Sequence, residues 1–245
     1  MPSKSGAAEN MEVKEQDRNS PYAIIFELEG VAIEARKAEF DVLQSLLREH
    51  GVEITPIHFS RNCLNTTPSN YLPDLLEALG VKKISAVKLA EEVEGGVALY
   101  LSSGDAVFNP SVKKILEAGA NRGMAMAMMT TVKGPTLDSL SERFGFDEWG
   151  VQSFEFERTD RTFPRADCWL RIAKSLSKTP RQCLVITGSR VSAKAALSAG
   201  MRCVVVPDEF TVFQDFSGAD VILDLESEFD PDELLNMLCP QNKPF

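Results

Sequence analysis

Two glutamates, Glu27 and Glu29, follow the uninterrupted apolar run of residues 22–26. Such a run is typical of a strand that is buried on both faces of a parallel sheet. Carboxylates at the end of a buried strand are suited to nucleophilic or acid–base catalysis beside a cleft. The alternative is that both side chains are polar groups that remain solvated at a strand end.

Hydroxyl and basic side chains follow two further apolar runs. Thr130 and Thr131 come after the first, and a threonine between a strand and a helix either holds an anionic ligand or caps the helix. Ser189 and Arg190 come after the second, with Lys194 one helical turn later. Because a helix N-terminus attracts anions, this turn predicts an anion-binding site, with a solvated surface turn as the alternative.

The apolar runs alternate with segments of helical periodicity. Strands are predicted at residues 22–26, 124–129, 183–186, 202–206 and 219–223, and helices at 110–118, 135–144, 167–176, 192–199 and 232–238. This order is typical of βαβ units and predicts an α/β fold with a parallel, doubly wound sheet. Ligands of such sheets bind beyond the carboxyl ends of the strands, here residues 27–30, 130–134, 187–190 and 207–209.

Residues 31–108 have a different pattern. Helical periodicity recurs at 34–50, 71–79 and 87–101, and no strand is indicated between these segments. We therefore predict a helical insert at 31–108, with the sheet built from residues 21–30 and 109–240. Residues 1–20 are polar and without periodicity, so they are predicted to form a disordered tail.

Composition excludes several classes of protein. The 245 residues carry a net charge of −10, which disfavours nucleic-acid binding. No apolar run approaches the roughly 20 residues that a membrane span needs, so no membrane association is expected. The five cysteines are scattered and the histidines number two, so neither a disulfide framework nor a zinc cluster is expected. A cytoplasmic or other reducing intracellular compartment is therefore predicted.

The strand ends and their surroundings resemble the haloacid dehalogenase-like (HAD) superfamily, and most closely its phosphatase and β-phosphoglucomutase branch. The most specific segment is CLVITGSRVSAKAALSAGMRCVVVPD at residues 183–208, and PSVKKILEAGANRGMAMAMMTT at 110–131 is also similar to the family. The resemblance implies a Rossmannoid core, in which a parallel sheet is flanked by helices, with an α-helical cap inserted after the first strand.

The resemblance also implies roles for the acidic and hydroxyl residues. The family carries an Asp-x-Asp-Gly motif, in which the first Asp attacks phosphorus and the second acts as acid and base. Glu27 and Glu29 take these positions here. Each glutamate adds a methylene that displaces the carboxyl group by about 1 Å, enough to lower the rate about 100-fold. The family's second motif supplies a hydroxyl that holds the phosphate, a role that Thr130 or Thr131 fits.

Two further family motifs differ in this sequence. Phe163 takes the position of a lysine that neutralises the phosphate, and Arg161 or Arg165 would have to compensate. Thr187 and Gly188 take the positions of the acids that bind Mg²⁺ in the fourth motif. Because Mg²⁺ requires hard oxygen ligands, usually including carboxylates, the sequence predicts no bound metal.

These substitutions predict a catalytically impaired HAD-like protein that binds a ligand or a protein partner and needs no cofactor. The alternative is an atypical phosphatase acting on a small phosphorylated metabolite, with Glu27 as nucleophile, Glu29 as acid and base, and Mg²⁺ as cofactor. In both cases the expected ligand is small and anionic or phosphorylated. The predicted catalytic residues are Glu27, Glu29 and Thr130, and the predicted ligand contacts are Thr131, Arg161, Arg165, Ser189 and Arg190.

Overall fold

The computed structural model describes residues 20–158, 160–223 and 228–240, so the predicted tail lies outside it apart from Ser20. The strands are β1 Ala23–Glu27, β2 Ala125–Thr130, β3 Val151–Glu155, β4 Cys183–Thr187, β5 Arg202–Val205 and β6 Val221–Ile222. They form one sheet in the order β3-β2-β1-β4-β5-β6, and all neighbouring strands are parallel. The predicted parallel α/β sheet is confirmed.

The described part of the chain contains nine α-helices. They are α1 Ala35–Glu49, α2 Pro56–Asn62, α3 Pro68–Ala78, α4 Ala86–Ser102, α5 Pro110–Asn121, α6 Gly134–Phe144, α7 Ala166–Ser175, α8 Arg190–Ser198 and α9 Pro231–Leu238. Helices α1 to α4 follow β1, and α5 leads back to β2. The division into a core and an insert at residues 31–108 stays a prediction. None of these helices has the length and apolar character that crossing a membrane requires.

One α-helix and one strand of the fold are not indicated by the sequence patterns. Helix α2 has seven residues, which is too short to show a helical repeat, and it starts at a capping box formed by Thr55 and His58. Strand β3 lies at the edge of the sheet, where Val151 is buried and most of its neighbours along the strand are exposed. An edge strand of this kind lacks the continuous apolar run of the central strands.

The central strands bury side chains on both faces of the sheet. Ile24, Phe26 and Met128 lie in one apolar cluster with residues of α5, α6 and α9. Ile25 and Met129 lie in a second cluster with residues of α7 and α8. Because alternate residues face opposite layers of helices, the strands are apolar at every position rather than at every second one.

A third apolar cluster joins helices α1 to α4 and is completed by Phe210, from the loop after β5. The ring centroid of Phe210 lies 5.3 Å from that of Phe40 on α1 and 4.9 Å from that of Phe59 on α2. Aromatic pairs at such distances contribute about 1 kcal/mol each beyond the area that they bury. The contact holds the first two helices beside the carboxyl end of β5.

Candidate functional site

The carboxyl ends of the central strands and the start of α1 enclose a cavity of about 180 Å³. Glu27 lines it at the end of β1, Glu29 just after β1, Thr131 after β2 and Ser189 after β4. Phe163 lines it as well. The structure therefore brings four of the predicted site residues together, because parallel strands end at the same edge of a sheet.

Glu27 ends β1, and its carboxyl group is held by the neighbouring end of β4. The Thr187 hydroxyl donates a hydrogen bond to Glu27 Oε2 at 2.6 Å, and the Gly188 amide donates to the same oxygen at 3.4 Å. Burial raises the pKa of Glu27, and this effect exceeds the lowering by these hydrogen bonds and by the charge of Arg36. Glu27 therefore keeps its proton to a higher pH than an exposed glutamate, which weakens it as a nucleophile.

Glu29 is bound to the turn that follows β2. Its Oε1 accepts hydrogen bonds from the Thr131 amide at 2.7 Å, the Thr131 hydroxyl at 2.6 Å and the Val132 amide at 3.1 Å. Donors that converge in this way form an anion-binding turn, and Glu29 itself supplies the anion. Thr130 is buried, and its hydroxyl accepts a hydrogen bond from the Val132 amide at 3.0 Å, so it braces the turn.

Arg36, in the first turn of α1, is a residue of the site that the sequence patterns do not indicate. Its Nε donates to Asp208 Oδ2 at 2.6 Å, and its Nη2 donates to the Gly30 carbonyl oxygen. Asp208 follows β5 within the segment 207–209, where a ligand site is expected. The ion pair joins residues that are 172 positions apart in sequence, so sequence spacing contains no signal for it.

The residues at the strand ends do not fit a Mg²⁺ ion. Among the residues that the structure describes, no group of three or more acidic, histidine or cysteine side chains is placed to hold a metal. At Gly188, a Cβ atom would lie 2.6 Å from Arg36 Nη2 and 2.9 Å from the Gly30 carbonyl oxygen. Because hard cations need several oxygen ligands, this arrangement does not support chemistry that depends on a metal ion.

Three of the predicted ligand contacts lie away from the cavity wall. Arg161 Nη2 pairs with Asp74 at 3.1 Å, and Arg165 Nε pairs with Asp167 at 3.4 Å. Arg190 is exposed at the start of α8. The first two side chains pair with surface acids, and none of the three arginines lines either of the two cavities at the strand ends, so the geometry gives no support to a ligand role for them.

A second cavity, of about 450 Å³, shares Glu39, Thr131 and Arg158 with the first. Arg158 Nη1 donates to the Thr66 carbonyl oxygen at 3.0 Å. Glu39 Oε1 is buried, and the hydroxyl group of Tyr71, which is also buried, is its polar neighbour. Glu39 is a second site residue that the sequence patterns do not indicate, although its position one helical turn after Arg36 places both polar groups on one face of α1.

Glu39→Gln is expected to stabilise the protein at high pH. Burial raises the pKa of Glu39 from 4.5 to about 7, so the native state binds more protons than the unfolded chain between these values. Stability is therefore lost as the pH rises through about 7, and glutamine, which cannot ionise, avoids a loss of up to about 3 kcal/mol. Urea unfolding at pH 8.5 measures the gain, which should vanish near pH 4.5.

The control for this substitution is Glu91→Gln, at an exposed position on α4. Removing a solvated charge should change the free energy of unfolding by less than about 0.5 kcal/mol at either pH. A native-like urea midpoint for Glu39→Gln at pH 8.5 would show that Glu39 is better solvated than its position indicates.

Comparison with known proteins relates the chain to phosphatases of this fold. No protein-family model matches it. It is 26% identical over 221 residues to the Bacillus subtilis protein named "Putative phosphatase YhcW", covering 90% of this chain and 99% of that protein. The crystal structure of a HAD family hydrolase from Deinococcus radiodurans, with bound phosphate and sodium, matches with a TM-score of 0.67 at 20% identity, covering 90% and 96% of the two chains.

The crystal structure of β-phosphoglucomutase from Clostridium difficile matches with a TM-score of 0.60 at 18% identity, covering 86% of this chain and 92% of that one. Both structural matches cover most of each chain. The resemblance that the motifs indicate is thereby confirmed at the level of the fold: the chain has the fold of the HAD superfamily, and its Bacillus subtilis sequence relative is named as a putative phosphatase.

Proposed function

We propose that this chain is a catalytically impaired HAD-fold protein that binds a small anionic ligand in the cleft without a metal ion. The observation that carries the proposal is the set of three hydrogen bonds that Glu29 Oε1 accepts from Thr131 and Val132. The resemblance implies that this turn holds the transferring phosphate in active relatives. Here the donors are already used by a carboxylate of the same chain.

The other requirements of phosphoryl transfer are also weakened. The reaction needs an available nucleophile, preorganised donors and positive charge near the phosphate. The Thr187 hydroxyl binds Glu27 Oε2, and Gly188 provides no carboxylate for a metal. Groups that act as a unit are strongly non-additive, so the loss of several of them removes most of the rate enhancement.

The class of ligand follows from the basic side chains around the two cavities. Arg36 lines the first cavity, Lys133 lines the second and Arg158 lines both. Lys133 pairs with Glu157 at 3.1 Å, with Lys133 half-buried and Glu157 largely exposed, so an anion could replace that acid at little cost. The phosphate bound to the Deinococcus radiodurans relative supports a small anionic or phosphorylated ligand.

The native chain and Glu27→Gln are expected to hydrolyse p-nitrophenyl phosphate at the same rate, with or without millimolar Mg²⁺. Glutamine keeps the shape of Glu27 but cannot act as a nucleophile, so the two proteins differ only if Glu27 performs chemistry. Initial rates of p-nitrophenol release measure this, with Glu91→Gln as the matched exposed control. A native rate that falls in Glu27→Gln and persists in Glu91→Gln would contradict the proposal.

The second candidate function is the atypical phosphatase, with Glu27 as nucleophile and Glu29 as acid and base. One observation favours it: both glutamates line the same cavity as Thr131, so the three groups are within reach of one ligand. This function requires Glu29 to leave the turn after β2 so that a phosphate can enter. The hydrolysis measurement separates the two candidates directly.

A further inference from the structure

One guanidinium lies among oxygen atoms that come from different strand ends. Arg36 Nε is 2.6 Å from Asp208 Oδ2 after β5, and Arg36 Nη2 donates to the Gly30 carbonyl oxygen after β1. Arg36 also lines the cavity that contains Glu27. We propose that the guanidinium of Arg36 is the fixed cation of the cleft, which makes a divalent metal both unnecessary and unable to bind there.

The surrounding backbone is shaped to admit this guanidinium. A Cβ atom on Gly30 would lie 2.7 Å from Arg36 Cζ, and a Cβ atom on Gly188 would lie 2.6 Å from Arg36 Nη2. Real Cβ atoms do not approach other heavy atoms so closely, because the van der Waals repulsion is too large. The two glycines and the arginine therefore form a matched set, in which the missing side chains provide the volume that the guanidinium fills.

The partner of Arg36 is fixed in orientation. Asp208 Oδ1 accepts hydrogen bonds from the Phe210 amide at 3.0 Å and from the Thr211 hydroxyl at 2.9 Å. Its other oxygen, Oδ2, is thereby directed to Arg36. The side chains of Arg36 and Asp208 are 16% and 29% exposed, so water screens this ion pair less than an exposed one.

A divalent cation at this place would meet a charge of its own sign. It would need oxygens of the kind that Asp208 and Gly30 offer, and these already accept hydrogen bonds from Arg36. An arginine is always protonated in proteins, so pH cannot remove this obstacle. The inference rests on the proposed function, because a permanent cation is what allows the cleft to hold an anion without a metal.

Mn²⁺ alone, followed by electron paramagnetic resonance, is the probe that tests this inference. The native chain is expected to bind no stoichiometric Mn²⁺ at millimolar concentration. Arg36→Met has a similar length but no charge, and it should bind Mn²⁺ at least about tenfold more tightly, because Asp208 and the Gly30 carbonyl become available. Arg36→Lys keeps the charge and should behave like the native chain.

Stoichiometric Mn²⁺ binding by the native chain would overturn the inference, as would an Arg36→Met variant that is folded and binds no more Mn²⁺ than Arg36→Lys. If Arg36→Met does not fold, a measurement on the native chain alone tests the inference. The Nε–H resonance of Arg36 in a ¹⁵N spectrum should not move as MgCl₂ is added, and a saturable shift would contradict the proposal. Metal-independent hydrolysis that needs Glu27 would overturn the proposed function and leave this inference intact.

Discussion

Glu29→Ala is expected to bind inorganic phosphate roughly 100-fold more tightly than the native chain does, a gain of about 3 kcal/mol. The substitution removes the internal carboxylate and leaves the amides of Thr131 and Val132 and the Thr131 hydroxyl directed at an open anion site. It also removes a negative charge that would repel the incoming phosphate at short distance. Isothermal titration calorimetry in the presence of EDTA measures the two dissociation constants.

Two further substitutions locate the phosphate in the Glu29→Ala protein. Adding Arg158→Met should weaken binding about tenfold, because Arg158 lines both cavities beside the turn. Adding Arg161→Met should have no effect, since Arg161 pairs with Asp74 away from the cavity wall. If Glu29→Ala and the native chain bind phosphate equally, the turn after β2 is not an anion site, and the proposed function loses its main support.

Gly188→Ala is expected to lower the free energy of unfolding by about 3 kcal/mol, or the melting temperature by roughly 10 °C. The new Cβ atom would lie 2.6 Å from Arg36 Nη2, 2.9 Å from the Gly30 carbonyl oxygen and 3.0 Å from the Val206 carbonyl oxygen. Arg36 is held by its ion pair, and the two carbonyl groups belong to backbone beside the sheet. None of the three atoms can retreat without breaking a contact elsewhere.

The matched control for this substitution is Gly104→Ala, where a Cβ atom would meet nothing within 4 Å. That variant should melt close to the native temperature. A Gly188→Ala protein with the same melting temperature as Gly104→Ala would show that Arg36 moves aside easily. The steric conflict also implies that an acid at position 188 does not restore a metal site unless Arg36 is replaced as well.

The central sheet is predictable from sequence because its strands are apolar at every position. The runs before Glu27 and Thr130 bury alternate side chains in the clusters on the two faces of the sheet, and burial on both faces produces that pattern. Strand β3 and helix α2 escape prediction for the opposite reason. One lies at an edge with exposed side chains, and the other is shorter than two full helical turns.

Only part of the candidate site is predictable from sequence: the residues that follow the strands, but not the long-range contacts between their side chains. The convergence of Glu27, Glu29, Thr131 and Ser189 follows from the rule that parallel strands end at one edge. The hydrogen bonds between Glu29 and the turn after β2 join residues more than 100 positions apart, and the pairing of Arg36 with Asp208 spans more of the chain still. Contacts of this kind depend on side-chain conformations at the strand ends and on how the helices pack over the sheet, which periodicity and spacing do not encode.

A crystal structure of the native chain grown with Mg²⁺ and tetrafluoroaluminate, which imitates a transferring phosphoryl group, tests the central claim most directly. We predict that Glu29 Oε1 remains bound to Thr131, that Arg36 remains paired with Asp208, and that no fluoroaluminate lies in line with a carboxylate oxygen of Glu27. Fluoroaluminate in line with Glu27, together with Mg²⁺ at the strand ends and Glu29 displaced from its turn, would contradict the account and identify a working phosphatase.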